Sequence, residues 1–429
     1  MTRSTGNGFT LSRRSALLGA GGLAAAGIFA PYVARGAAPK VVIVGGGFGG
    51  AAAARHLRKT DPGIEVTLIE RSSQYLTCPF SNLVLAGLRS MDQITHSYDR
   101  LPGRGIKLVT GEVTGIDADK RQLRLKDGGN VPYDRVILSP GVDLRFDGLP
   151  GYTAEAAEVM PHAWKAGPQT VLLKKQLEAM PDGGTVIIVA PDNPFRCPPG
   201  PYERASMIAH YLKTAKPKSK VLILDAKEKF SKQGLFQAAW ASEYPDMVQW
   251  IGKAEGGKVT AVDPGTLSVT TDFGSEKGAV VNVIPPQKAG ALAGIAGVAD
   301  ASGWCPVDFR SFESTLVPNV HVIGDACIAP PMPKSATAAT AQARVAALAV
   351  VDLLRGQQPV APSLSNTCYS LIGPEYGISV TGVYVQEGAA LKEVAGGVSP
   401  GNASAEDKAL EAQYAYAWYA GVTAESFGA

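Results

Sequence analysis

Five cysteines are the residues most able to do chemistry in this chain: Cys78, Cys197, Cys305, Cys327 and Cys368. No two of them form a C-x-x-C pair, and no C-x-x-C-H occurs to carry a covalent c-type haem. A cysteine can stand as a buried inert thiol, close a structural disulfide or take part in thiol–disulfide exchange. The count is odd, so at least one is free or bonded to something other than cysteine. Glu203 follows Cys197 near the start of a predicted helix. A carboxylate there can accept a proton from a thiol or from H₂S. It can equally be a structural complement to the helix N-terminus. The histidines, His56, His96, His162, His210 and His321, lack metal-ligand spacing, and no metal site is expected.

The elements around these residues read as α/β. Lys40 to Val44 is a buried-type strand, followed by Gly45-Gly46-Gly47-Phe48-Gly49-Gly50, a G-x-G-x-x-G match, and a helix from Ala51 to Lys59. A second strand, Glu65 to Ile69, ends on Glu70. Gly45, Gly47 and Gly50 let the backbone approach a pyrophosphate, and the helix N-terminus offers N–H donors to it. Glu70 is placed to accept ribose hydroxyls. Ahead of this fold, Ser12-Arg13-Arg14-Ser15 and an apolar stretch from Ala16 to Ala30 read as a twin-arginine export signal over residues 1–37. That stretch is short and Gly/Ala-rich for a membrane span. The rest has ordinary globular composition, with 45% hydrophobic and 18% charged residues. A net charge of +3 gives no case for nucleic acid.

Two later segments favour FAD over NAD in this fold. Tyr133-Asp-Arg-Val-Ile-Leu-Ser-Pro-Gly141 resembles the return strand of two-dinucleotide flavoproteins, with Ser-Pro-Gly in place of their usual A-T-G. Thr315-Leu-Val-Pro-Asn-Val-His-Val-Ile-Gly324-Asp325 resembles the segment in which such proteins bind the flavin ribityl chain through the Asp. In such proteins the next helix, here about Ser335 to Leu354, directs its dipole at the flavin pyrimidine. In the NAD(P)H-linked relatives a second G-x-G-x-x-G follows the next strand. Here the strand Thr185 to Ala190 leads instead into a loop with four prolines close to Cys197. Proline removes N–H donors and flexibility, so the half-fold persists without its nicotinamide phosphate loop.

Longer motifs are more specific. Tyr75-Leu-Thr-Cys78-Pro-Phe-Ser-Asn82, Phe195-Arg-Cys197-Pro-Pro-Gly-Pro-Tyr-Glu203-Arg204, Gly303-Trp-Cys305-Pro-Val-Asp308, Gly324-Asp-Ala-Cys327 and Asn366-Thr-Cys368-Tyr-Ser370 span the mature chain. Together they resemble the flavoprotein subunit of flavocytochrome c sulfide dehydrogenase. The resemblance implies two Rossmann-like (FAD/NAD(P)-type) domains with a C-terminal α+β interface domain. Residues 38–150 and 288–357 would bind FAD, 151–287 would form the second Rossmann-like domain, and 358–429 the interface domain. It implies an FAD held covalently through Cys78 and a redox-active pair, Cys197 with Cys368; Glu203, from its position beside Cys197, is the candidate proton acceptor. Cofactor contacts are expected from Gly45, Gly47, Gly50, Glu70, Val113, Gly141, Gly324 and Asp325. Lys334 would face the pyrimidine, or else be a solvated lysine. Cys305 and Cys327 read as packing thiols.

The activity implied is periplasmic oxidation of sulfide to sulfur or polysulfide, with electrons passing singly to a separate c-type cytochrome subunit in a heterodimer. No nucleic acid and no stable membrane insertion are expected. Three other roles share parts of this pattern: a sulfide:quinone oxidoreductase, a thiol-reactivating flavoprotein serving a sulfur-carrier protein, and a non-catalytic flavin-bearing scaffold for a cytochrome. No histidine follows His321, which excludes the catalytic histidine of disulfide reductases. The tail from Ala405 to Ala420, with Tyr414, Tyr416, Trp418 and Tyr419, reads as core or as a protein interface.

Overall fold

A run of apolar β-formers makes a strand that is buried on both faces, and Lys40–Val44 sits accordingly in the middle of a sheet. It pairs in parallel with Glu65–Glu70 on one side and Arg135–Leu138 on the other. Ile106–Thr110 and Val320–Val322 complete the five-stranded sheet at its two edges. The computed structural model describes residues 37–428. The export signal expected over 1–37 lies, except for Ala37, outside the described residues.

Helix Phe48–Thr60 covers this sheet together with helix Ala336–Leu354. Both bury alanines at their contact, Ala51 to Ala54 on the first and Ala343, Ala346 and Ala347 on the second. Small side chains let the two axes approach, and each fully buried leucine or valine around them, such as Leu57 and Val350, contributes about 2 kcal/mol. Helix Ala336–Leu354 is long and apolar enough to cross a membrane, yet 56% of its apolar window is buried inside the protein.

The second parallel sheet runs in the order Val248–Ile251, Lys220–Asp225, Thr185–Ala190, Val280–Val283. Helix Gly200–Ala215 crosses over between its two central strands. The expected half-fold is therefore present. The C-terminal region is an antiparallel meander of Ser363–Gly373, Tyr376–Glu387 and Ala390–Val398, followed by helix Ala405–Phe427. The sequence suggests two short apolar strands here, Cys368 to Ile372 and Gly377 to Tyr384; the observed strands are longer, and a third joins them. The helix begins with a capping box in which Ser404 and Asp407 satisfy each other's backbone N–H groups. It buries Ala412, Ala415, Tyr419 and Val422, and it leaves Tyr414 half exposed.

Glu425, near the end of that helix, ties it to the first sheet's helices. Its carboxylate bonds His56 on helix Phe48–Thr60 and Arg344 on helix Ala336–Leu354. Burial pushes Glu425 up, but those two partners outweigh it and bring it to about 2. The C-terminal region is thus bound to the two helices whose N-termini open onto the main cleft.

Candidate active site

The cleft lies at the carboxyl ends of the first sheet and has a volume of about 450 Å³. In open α/β sheets ligands bind in the crevice outside the carboxyl ends of the strands, where the strand order reverses. Gly45, Gly47, Glu70, Cys78, Val113, Gly141, Gly324 and Asp325 all line it. Gly45 has a φ of 101°, and a Cβ there would stand 2.3 Å from the Ser139 carbonyl oxygen, so no other residue fits. Gly50 does not line the cleft. A Cβ on it would meet the Gly45 carbonyl oxygen at 1.9 Å, so it serves helix–strand packing that brings the helix N-terminus to the ligand. Glu70 accepts from Gly46 N–H (2.7 Å) and Ser72 N–H (3.0 Å), which fixes its carboxylate at the cleft wall.

Asp325 provides the clearest fit to a flavin nucleotide. Its Oδ1 is buried without a hydrogen-bond partner, and burial raises its pKa against the opposing pull of Arg196 and Lys334. A buried polar atom left unpaired costs about 1–3 kcal/mol, and a ligand hydroxyl would relieve it. The N-termini of helices Phe48–Thr60 and Ala336–Leu354 both reach the cleft, through Gly47 and Phe48 and through Ser335 and Ala336. Glycines for the pyrophosphate, an acid for the ribose, an orphaned acid for the ribityl chain and two helix dipoles fit FAD.

Lys334 departs from expectation. It does not line the cleft, and it is only partly exposed. Its ammonium donates to the carbonyls of Asp325 (2.8 Å) and Cys327 (2.6 Å) and lies 3.9 Å from the centre of the Trp304 ring. It holds the Gly-Asp turn in place. Its own carbonyl accepts from Cys197 N–H at 2.9 Å.

That bond begins the link between the two cysteines. Ser335, next in the chain, donates to Asn366 Oδ1, and Asn366 Nδ2 donates to Cys368 Sγ at 3.3 Å. Cys197 and Cys368 thus flank one turn, Lys334–Ser335, whose Ser335 lines the cleft. They lie in electrostatic range of each other and are unbonded thiols in this structure. Cys197 adopts a left-handed backbone, φ 58°, in the proline-rich loop. A non-glycine residue held there marks a site fixed by its surroundings. Desolvation, with Glu203 and Cys368 adding to it, pushes the Cys197 thiol far up, against the pull of Arg196.

Glu203 stands in the first turn of helix Gly200–Ala215. Its Oε1 accepts from Leu371 N–H (3.0 Å) and its Oε2 from Asn82 Nδ2 (2.8 Å). Burial raises its pKa, and these bonds only partly counter it. Asn82 is fixed in turn by Arg204, whose Nε donates to Asn82 Oδ1 at 3.1 Å. Arg204 is itself buried, with its other nitrogens on the carbonyls of His162 and Ala163 and on Asn282. The result is a carboxyl group close to the cysteine pair, tuned upward and unable to swing.

Arg196 has no assigned role in the sequence reading although it adjoins Cys197. It lines the cleft, and its guanidinium donates to the Trp164 carbonyl, which also accepts from Cys78 Sγ at 3.4 Å. Burial opposes its charge, but Cys78, Asp325, Tyr75 and Cys197 around it outweigh burial. Like Arg204, it is a buried cation within electrostatic reach of both the flavin-cleft cysteine and the loop cysteine. Cys305 and Cys327 pair backbones in an isolated bridge and are buried. Burial pushes Cys305 up to about 12, as for packing thiols.

The second Rossmann-like unit cannot receive a nucleotide in the usual way. Asp225 ends its second strand, where such an acid ordinarily meets a ribose. Here it is fully buried and accepts from Tyr202 OH, Trp250 Nε1, Lys227 N–H and Lys227 Nζ. Phe230 stacks on Tyr202 with ring centres 3.6 Å apart. The ribose position is filled by the protein's own side chains.

Comparison with known proteins agrees with this geometry. Residues 170–285 match the central region of the sulfide dehydrogenase (flavocytochrome c) flavoprotein chain, and 360–427 match the flavocytochrome c sulphide dehydrogenase flavin-binding region. Residues 39–174 match the pyridine nucleotide-disulphide oxidoreductase family. A sulfide dehydrogenase (flavocytochrome c) flavoprotein chain from Chlorobaculum thiosulfatiphilum is 62% identical over 45 residues, 10% of this chain and 94% of that sequence. The mitochondrial sulfide:quinone oxidoreductase of Mus musculus is 24% identical over 75% of this chain and 72% of its own length. The solved sulfide:quinone oxidoreductase from Aquifex aeolicus superposes with a TM-score of 0.71 at 19% identity, covering 91% of this chain and 93% of that one. The two-dinucleotide-binding fold, the FAD cleft and these matches together mean that the chain belongs to the flavocytochrome c sulfide dehydrogenase flavoprotein family, among the sulfide-oxidising, FAD-binding flavoproteins.

Proposed function

We propose that this chain oxidises sulfide at a Cys197–Cys368 disulfide and delivers the electrons to a separate c-type cytochrome subunit in the periplasm. The observation that carries this reading is the grouping of Cys197, Cys368 and Glu203 about a turn of the FAD cleft, in a protein whose nucleotide position in the second unit is filled.

The chemistry follows from the residues. Glu203 takes a proton from H₂S. The resulting HS⁻ attacks one sulfur of the disulfide; an S–S bond forms to it, the Cys–Cys bond breaks, and the other cysteine leaves as thiolate. A second HS⁻ removes the outer sulfur as HSS⁻, leaving both cysteines reduced. Closing the disulfide again releases two electrons. FAD in the cleft supplies an acceptor that takes electrons as a pair and gives them up singly. Arg196 holds charge within reach of Cys78 and Cys197 throughout, and Asn82 with Arg204 keeps Glu203 in position.

Cys78 lines the cleft with its Sγ tethered to the Trp164 carbonyl, which supports it as the covalent FAD attachment. Acid precipitation of wild-type protein is expected to leave yellow flavin in the pellet. Cys78→Ala is expected to move it to the supernatant. Flavin in the wild-type supernatant would rule the link out.

The relatives that act on quinones make a second reading specific: a sulfide:quinone oxidoreductase. The test is to reduce the purified flavoprotein with sulfide, without oxygen, and offer a c-type cytochrome and a quinone separately, with oxidised flavoprotein mixed with NADH in a parallel sample. Haem reduction of a c-type cytochrome without comparable quinone reduction is the expected result. Fast quinone reduction favours the second reading, and fast flavin reduction by NADH overturns both.

A further inference from the structure

Helix Gln233–Glu243 begins beside the cysteine pair, and the residue preceding it is a lysine inside the protein. Lys232 is only 8% exposed. Its ammonium donates to the Cys368 carbonyl (3.1 Å), the Ser370 hydroxyl (2.8 Å) and the Ile378 carbonyl (3.3 Å). All three acceptors are neutral oxygens. A buried cation without a bonded counter-charge costs several kcal/mol, and burial here lowers Lys232 to about 8. The anionic groups that work against that lowering are, in order, Cys368, Glu203, Cys197 and Glu411. Glu203 already has both oxygens engaged. The group with most influence on Lys232 is therefore a cysteine, which is neutral in a disulfide and charged only when the disulfide opens.

We propose that Lys232 is a positioning residue for the redox pair: it fixes the Cys368 backbone and meets the negative charge that Cys368 carries once the pair is opened. The proposal rests on the function argued above. When HS⁻ opens the disulfide, one cysteine becomes a persulfide and the other a thiolate. Whether the sulfide's sulfur lands on Cys197 or on Cys368, the Cys368 side carries a thiolate or a persulfide anion. Lys232 stabilises that state and does nothing for the closed one. It thereby makes the pair easier to reduce.

The test is the equilibrium between the pair and glutathione, measured on the full FAD-loaded protein by acid quenching, alkylation and mass. Lys232→Gln keeps donors for the carbonyls and removes the charge. Losing a buried charge beside the opened pair removes a stabilisation that the closed pair does not use, so the equilibrium is expected to move about tenfold toward disulfide, equivalent to about 30 mV. Lys232→Arg keeps the charge and is expected to stay within about twofold of wild type. If Lys232→Gln does not fold, Lys232→Met fills the same space with an unbranched side chain and is expected to shift as far. A neutral variant with native circular dichroism and an unchanged equilibrium overturns the proposal. So does Lys232→Arg shifting as far as the neutral variant, because geometry alone would then be at stake. If the wild-type pair never closes, the proposed function falls and Lys232 with it; if it closes and only the lysine variants behave like wild type, the function stands and this role for Lys232 does not.

Discussion

Cys197→Ser is expected to lower sulfide-dependent flavin reduction by at least about 10³-fold, the scale seen when one member of a reacting unit is lost. Serine is close to cysteine in size and retains the left-handed backbone and the N–H bond to the Lys334 carbonyl. The fold and the FAD cleft, which Cys197 does not line, are expected to stay intact. What disappears is the sulfur–sulfur bond, because an oxygen cannot close it with Cys368. The measurement is anaerobic stopped-flow bleaching of the flavin by sulfide, with dithionite as a control that the cofactor remains reducible. Bleaching by sulfide at the wild-type rate would mean that electrons enter without the pair, as for a flavin-bearing scaffold or a site elsewhere.

Glu203→Gln is expected to lower kcat/KM for sulfide by about 10²–10³-fold, the usual contribution of a positioned general base. Burial raises the Glu203 pKa, with the bonds from Leu371 and Asn82 opposing. A base works when ionised, so activity rises as pH climbs through that raised value, above the ordinary carboxylate range. Glutamine has no such titration, and the acid-side limb of the pH profile is expected to disappear with the rate. The glutamine keeps one acceptor and the shape of the side chain, so the protein is expected to fold. A variant with a normal rate and the same acid limb would assign Glu203 a structural role at the helix N-terminus, and the proton acceptor would lie elsewhere.

What the chain reveals before folding depends on how far apart the cooperating residues lie. The strand–glycine–helix unit at Lys40 to Thr60 is readable because its logic is local: apolar strand, glycines, helix and Glu70 in one stretch. The loss of the second nucleotide site is readable for the same reason, from prolines around Cys197. The way Asp225 is filled is not, since Tyr202, Trp250 and Phe230 come from different segments. Lys334 illustrates the limit. A lysine after four apolar residues gives no hint of the Asp325 and Cys327 carbonyls it bonds, so a solvated or flavin-facing side chain was the natural expectation. Ala390–Val398 has no alternation of apolar and polar residues because nearly all of it is exposed, and a strand there was invisible. Arg196 stands within the Cys197 motif, yet its neighbours in sequence say nothing of Cys78, Tyr75 or Asp325, whose charges reach it only in the fold. Lys232 carries no local signal at all. Cys197 and Cys368 come from separate regions of the chain, and resemblance to a family, not spacing, put them together.

The most direct measurement is the disulfide map of the purified protein before and after sulfide. Alkylated under denaturing conditions without reductant, the protein is expected to yield a peptide pair joined between Cys197 and Cys368, with Cys305 and Cys327 as free thiols. Sulfide added in the absence of oxygen and of any acceptor is expected to open that pair and leave an extra sulfur on one of its two cysteines. A pair that is never joined, or a joined pair that sulfide leaves untouched while the flavin is bleached, would contradict the proposed reaction.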